Sequence, residues 1–266
     1  MMRANSMNSG IEERAACQLA DYDARRPGMM FAEGVIMSVA EGYELQAAVA
    51  GLRQRRGERI IGCKVGCTAA KTRAQLGIDH CISGRLYDSE KHASDAVLSL
   101  SEFANLAIEG ELAVELSREP TPEDFVEGEI PACVSRVFPV IELHHFVMRG
   151  EQPSAGEVIA NNAIHGGIVV GRGATPAEIQ QASLEPSLAI FADDRLVEEC
   201  SGPPLIQTII SSLQWLTEIL RERGDRLSAG QIALTGSIPS LIPINADCCL
   251  RVDAPPFGAV EATITT

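Results

Sequence analysis

Aromatic side chains are scarce in this chain: they make up 4% of its 266 residues, with one tryptophan. Its core must be built from aliphatic residues. Basic residues are also in deficit, with 22 Lys and Arg against 36 Asp and Glu and a formal net charge of -14. That balance argues against nucleic acid or an anionic membrane as a partner. No apolar run reaches the ~18 to 20 residues that cross a bilayer. The segment from Met1 to Gly10 is polar and has no apolar signal core. Residues 1–9 are read as a disordered lead-in, and the compartment as cytoplasmic. The eight cysteines include no Cys-x-x-Cys pair, and no histidine follows at zinc spacing. They read as small buried hydrophobes in a reducing compartment, with no structural disulfide. Repeats, low-complexity tracts and long linkers are absent. The spacing Gly166-Gly167-x-x-x-Gly171 lacks the strand–turn–helix setting and the later acid of a dinucleotide site.

What the chain does have is a 45% apolar content, enough for one large domain. It also has an unusual placement of acids. Glu109 and Glu111 lie one residue apart in Leu106–Leu116, and Glu142 interrupts the apolar run Val137–Leu143. Successive side chains of a strand alternate between its faces. Glu109 and Glu111 therefore share a face, while Ile108, Leu112, Val114 and Leu116 point into a core. Neighbouring carboxylates on an apolar strand repel each other and are costly to desolvate. A divalent cation removes both problems, and a small set of oxygen donors suits Mg²⁺ or Mn²⁺. The plain alternative is a half-solvated strand, and Glu115, on the same face, is read that way. Glu142, within a run that looks buried on both sides, needs a partner, and the first pair with a metal is the nearest candidate.

Periodicity predicts helices over 10–26, 39–56 and 69–76, with a strand at Ile60–Gly66. The Arg53–Arg56 run suits a helix C-terminus. Gly84–Tyr87 reads as a strand. Thr121-Pro122-Glu123-Asp124 has the order of a helix start and predicts a helix over 122–135. A helix at 154–163 precedes a strand at Gly166–Gly171. A hairpin turns at Asp193-Asp194-Arg195. The longest helix spans 203–223, and three short strands fill 231–266. The whole reads as a single mixed domain, 10–266, rich in strands, with a mostly helical part at 10–80.

A set of motifs now occurs in order: Gly62-Cys63-Lys64-Val65-Gly66-Cys67-Thr68, Gln75-Leu76-Gly77-Ile78-Asp79, Glu109-x-Glu111, Ile141-Glu142, Asn161-Asn162-Ala163 and Leu234-Thr235-Gly236-Ser237. The set resembles the 2-keto-4-pentenoate hydratase and 4-oxalocrotonate decarboxylase branch of the fumarylacetoacetate hydrolase superfamily, from about residue 12 to the end. The resemblance implies an α+β fold: a mixed β-roll over 81–266 with flanking helices and a helical N-terminal region. It implies Mg²⁺ or Mn²⁺ held by Glu109, Glu111 and Glu142, a small 2-oxo acid substrate, and a homo-oligomer. Lys64 matches the lysine of the branch's Lys-Val-Gly motif and is assigned a catalytic role with substrate or proton. Without the family, it reads as a snorkelling or ion-paired lysine.

The chain departs from the branch at three places. Ile82 stands where many hydratases carry an acid. Leu143-His144-His145-Phe146 stands where the branch often has Asp-Ser-Arg, and Ile164-His165 where it often has a serine after Asn-Ala. His165 is the first candidate for a replacement acid–base group, and His144 shares strand parity with Glu142. Lys64 and His165 are expected to line the cavity over the metal, with Ile82 drying one wall and Ser237 contacting substrate. The leading activity is addition of water to a 2-hydroxydienoic or 2-oxo-enoic acid. A decarboxylase, a hydrolase of acylpyruvates, and a non-catalytic partner subunit are the alternatives.

Overall fold

A computed structural model describes residues 2–26, 37–148 and 153–266, with side chains from residue 10 onward. In chain order the elements are α1 (Met2–Asp23), α2 (Val39–Arg55), β1 (Ile60–Gly66), α3 (Ala70–Leu76), β2 (Ile82–Tyr87), β3 (Lys91–Ala93), β4 (Ala96–Ser99), β5 (Ala107–Leu116) and β6 (Val134–His144). Then follow α4 (Ala155–Ala160), β7 (His165–Val170), α5 (Pro176–Ala182), β8 (Ser187–Ala192), β9 (Arg195–Ser201), α6 (Pro203–Glu222), β10 (Ile232–Leu234), β11 (Ile242–Pro243), β12 (Cys248–Ala254) and β13 (Gly258–Thr265). α1 starts N-terminal of the expected position, at Met2.

Two mixed sheets carry the fold, which is α+β. The larger runs β2-β1-β10-β5-β6-β7-β3, with β11 also paired to β5; the smaller runs β4-β13-β12-β8-β9. The pairs β1/β10, β3/β7 and β4/β13 are parallel. Ile108, Leu112, Val114 and Leu116 enter the main core with residues from the second sheet and from α6. Between the two acids of β5, a Cβ on Gly110 would stand 2.7 Å from Ile190 on β8. A glycine there lets the second sheet close against β5, and the same pleat turns Glu109 and Glu111 to the opposite face.

The α6 stripe is as the spacing predicts, with Leu205, Ile209, Leu213, Leu216 and Leu220 all buried. α2 begins with the reciprocal cap of Ser38 and Glu41. The hairpin of β8 and β9 turns on Asp193 and Asp194, both at positive φ, as a two-residue hairpin turn requires.

The helix expected over 122–135 is not there. Its capping box forms, and Asp124 accepts the Thr121 N–H at 2.7 Å, but only a 3₁₀ turn, Pro122–Asp124, follows. Gly128 adopts φ 78° and Pro131 follows it. Neither continues a helix cheaply, and no apolar stripe compensates. The pattern also missed α5, β3 and β4, which are short; α5 and β3 bury no residue, and β4 buries only Leu98. The region 231–266 holds four strands rather than three.

Candidate metal centre

The centre of the main sheet brings the acids together. β5 and β6 are antiparallel, and Glu109 pairs directly with Glu142 while Ala107 pairs with His144. Opposed residues of neighbouring strands share a face. Glu109, Glu111, Glu142 and His144 therefore project to one side of the sheet. Glu111 and Glu142 are 1% exposed. The carboxylate of Glu109 is partly open, and that of Glu115, at the far end of the face, pairs with Arg136 at 2.7 Å.

Glu142 is held from several directions. Lys64 Nζ from β1 and His165 Nδ1 from β7 each lie 2.8 Å from its Oε1. His144 Nε2 lies 3.8 Å from its Oε2 and 3.2 Å from Glu109 Oε2. Burial pushes the Glu142 carboxyl up, but the charge of Lys64 and the contacts of His144 and His165 outweigh it and hold it below the usual range. Burial likewise acts against the Lys64 ammonium, and the charges of Glu142, Glu109 and Glu111 reverse the effect and keep it above the ordinary lysine value.

Glu111 makes no such contact, and the Lys64 charge only partly offsets its burial. Neither of its buried oxygens has a hydrogen-bond partner among the described residues. Burial, with the charge of Glu142 next in weight, drives its acidity well down, so its pKa rises far above a normal carboxyl. A buried carboxylate without partners is costly. A cation among these acids would relieve it, so the residues fit a divalent metal. One oxygen each from Glu109 and Glu142, together with a nitrogen of His144, lie within 4.8 Å of one another.

A cavity of about 430 Å³ opens over this centre. Lys64, Ile82, Glu109, His144 and Ser237 contribute to its wall, as do Thr68, Lys71 and Gln75 around α3. His165 is not among the lining residues. It is 1% exposed and sits behind the wall against Glu142, with Nε2 unpartnered among the described residues. Ile82 is buried and packs with Val158, Ile159 and Met148, so this side of the cavity is apolar. The Ser237 hydroxyl is shared between the carbonyls of Gly110 at 3.2 Å and Pro239 at 2.9 Å. A larger cleft of about 1020 Å³, beside α2 and the end of α6, contains Tyr43, Arg85 and Arg223 but none of the clustered acids.

The remaining motifs act as supports. Asn162 Nδ2 donates to Arg85 O at 2.8 Å, and its Oδ1 accepts the Arg85 N–H at 2.7 Å, fixing the turn before β7 to β2. Asn162, Ala163 and Ile164 all have positive φ, at 55°, 53° and 58°. Such backbone is uncommon for alanine and a genuine outlier for isoleucine, and it clusters at functional sites. Here it brings Ala163 O within 3.3 Å of Lys64 Nζ, which donates to it. Thr235 Oγ1 donates to Leu112 O at 2.7 Å and ties β10 to β5. The left-handed turn left no signal in the pattern, because alanine and isoleucine do not announce positive φ. The cavity residues of α3 were missed because an exposed, polar, one-faced helix reads as surface.

No family model matches the chain. It is 24% identical over 224 residues to a 2-keto-4-pentenoate hydratase of Burkholderia vietnamiensis, covering 84% of this chain and 85% of the relative. It is 26% identical over 227 residues to a 4-oxalocrotonate decarboxylase of Pseudomonas putida, covering 85% of each. The chain is a homologue of the 2-keto-4-pentenoate hydratases and 4-oxalocrotonate decarboxylases. The fold of this homologue is similar to that of 4-oxalocrotonate decarboxylase from Pseudomonas putida G7, solved with magnesium and adipate. The TM-score is 0.84 at 23% identity, over 97% of this chain and 98% of that one. Among the described residues, no helix is long and apolar enough to cross a membrane.

Proposed function

We propose that the chain is a divalent-metal-dependent lyase that adds water to a small 2-hydroxydienoic or 2-oxo-enoic acid. The observation that carries this reading is the unpartnered, buried Glu111 carboxylate beside Glu109 and Glu142, under a cavity that also holds Lys64. Glu109, Glu111 and Glu142 would hold Mg²⁺ or Mn²⁺, and the ion would supply a Lewis acid for the 2-oxygen and carboxylate of the substrate. Lys64 presents the cavity's buried ammonium, placed to attract a carboxylate and to hold a proton near the substrate. His165 orients Glu142 through Nδ1 and keeps its Oε1 occupied. Val158, Ile82 and Ala163 keep one wall dry. The reading carries with it a homo-oligomer, on the strength of the resemblance, and, on the composition and cysteine usage, a place in the cytoplasm.

Decarboxylation of a 2-oxo diacid is a second reading, favoured by one observation. The apolar Ile82 wall offers no group to activate water, and loss of carbon dioxide needs none. The discriminating experiment incubates the purified protein with Mg²⁺ or Mn²⁺ and 2-hydroxypentadienoate, oxalocrotonate or an acylpyruvate. Consumption of the dienoate with formation of a hydroxylated 2-oxo acid supports hydration. Release of carbon dioxide from oxalocrotonate supports the second reading. Metal binding without turnover of any of these acids leaves the chain a non-catalytic partner subunit.

A further inference from the structure

We infer that His144 is itself a ligand of the bound cation. The centre is then a mixed nitrogen and carboxylate site that favours a first-row transition ion over Mg²⁺. This rests on the metal site proposed above and adds a donor to it.

The geometry carries it. His144 Nε2 lies 3.2 Å from Glu109 Oε2 and 3.8 Å from Glu142 Oε2. Adjacent donors on an octahedral ion with bonds of about 2.1 Å stand about 3 Å apart. The three atoms therefore come close to one face of a coordination shell. The division of labour on Glu142 agrees. Its Oε1 is taken by Lys64 and His165, each at 2.8 Å, which leaves Oε2 on the His144 side. A second, independent feature is Glu111, 1% exposed and with both oxygens unpartnered in the same sheet face. His144 is fixed in place by strand register, since it pairs with Ala107 across β5 and with His165 across β7.

Mg²⁺ prefers oxygen and keeps its waters, whereas imidazole suits manganese less than cobalt, nickel or zinc and magnesium least. A nitrogen donor in this position therefore changes which ion the chain retains. Losing even an outer partner of a metal ligand costs about 10- to 100-fold in affinity. His144→Gln should thus weaken Co²⁺ or Ni²⁺ binding at least about tenfold and change Mg²⁺ binding much less.

The deciding measurement is pulsed electron paramagnetic resonance of Mn²⁺ bound to the purified full chain. The wild type should show coupling to a directly ligated imidazole nitrogen. Growth on ¹⁵N-histidine should convert that signal to its ¹⁵N form without any substitution. His144→Gln should remove it while the carboxylates still bind Mn²⁺, and His165→Gln should leave it. Mn²⁺ bound with no nitrogen coupling in the wild type overturns the inference and leaves the all-carboxylate site standing. Coupling lost in His165→Gln but kept in His144→Gln overturns it in favour of the other histidine. Failure to bind Mn²⁺ at all overturns both this inference and the metal-dependent function.

Discussion

Glu109 and Glu142 face each other residue for residue across the antiparallel pair of β5 and β6. Two carboxylates in that relation, with Glu111 buried beside them, make the metal-free protein carry a repulsion that a cation would remove. Glu111 has its folded pKa raised by burial and by Glu142. Its contribution to stability is therefore full below the unfolded carboxyl value and lost as pH rises through the folded one. Glu111→Gln should remove that loss. An unsatisfied buried polar group costs about 1–3 kcal/mol, more if charged. The metal-free variant should melt several degrees above metal-free wild type at pH 8, at about 2–4 °C per kcal/mol. Its further rise on adding Mn²⁺ should shrink, and turnover should be abolished. Scanning calorimetry with and without Mn²⁺ tests this; unchanged activity in the variant would refute the role of Glu111.

Lys64 is the sole ammonium in contact with Glu142 among the described residues. Removing one partner of a buried ion pair destabilises by about 3–5 kcal/mol, because the remaining charge is left uncompensated. Lys64→Met should therefore unfold earlier than wild type when metal-free. Added Mn²⁺ should raise its melting temperature by more than it raises that of the wild type, since the ion then supplies the missing charge. KM for any 2-oxo acid should rise and kcat fall together if the ammonium meets the substrate. A melting curve that matches the wild type in the absence of metal would show the pair to be dispensable.

His145, next to His144, does a different job. Its Nδ1 accepts the Ala104 N–H at 3.2 Å and its Nε2 donates to Tyr22 O at 3.1 Å, which fixes the neutral tautomer and pins α1 to the sheet. Burial lowers its pKa to about 4, with Arg25 and Arg53 adding to the effect and Tyr22 O and Asp23 opposing it. Neutral His145 is thus the form the fold prefers. The stability it contributes is full above the ordinary histidine value of about 6.5 and is lost as pH falls toward 4, to about 3 kcal/mol in all. Its imidazole signal in NMR should stay in the neutral position down to about pH 5, and His145→Gln should flatten the acid limb of the stability curve relative to wild type. Titration of this ring near 6.5 would show that it is not buried as described.

Much of the centre could be read from residue order because strand parity is a local rule. Glu109 and Glu111 had to share a face, and Glu142 had to be buried by its own neighbours. That His144 follows Glu142 onto the same face comes from the same rule. Which histidine meets the cavity did not follow. His165 lies on a third strand, and the register between β6 and β7 shifts between Leu143 and His144, so parity along one strand says nothing of its depth. The false helix at 122–135 has the same origin in reverse: the cap at Thr121 is local and real, whereas propagation depends on Gly128, Pro131 and a core contact that never comes. Lys64 was ambiguous for a longer-range reason. Its partner is 78 residues away, 142 − 64, and only the order of strands β1, β10, β5 and β6 brings them together.

Ile82 sets the last expectation. It is 1% exposed and sits in the cavity wall with Lys64, Glu109 and His144. A Lewis acid and Lys64 suffice for enolisation of a 2-oxo acid, whereas addition of water needs a group that activates or delivers it. With an apolar side chain at this place, exchange of the C3 hydrogens of a saturated 2-oxo acid with deuterated solvent should outpace hydration of the matching dienoate. NMR gives the first rate and ultraviolet absorbance the second, on the same metal-loaded protein. Ile82→Asp should raise the ratio of hydration to exchange, at some cost in stability from the buried charge. Ile82→Val removes one methylene, typically at a cost of about 0.5–1.5 kcal/mol, and should leave the ratio where it was. If wild-type hydration keeps pace with exchange, or if Ile82→Asp leaves the ratio unmoved, water is activated elsewhere and Ile82 only packs against Val158 and Ile159.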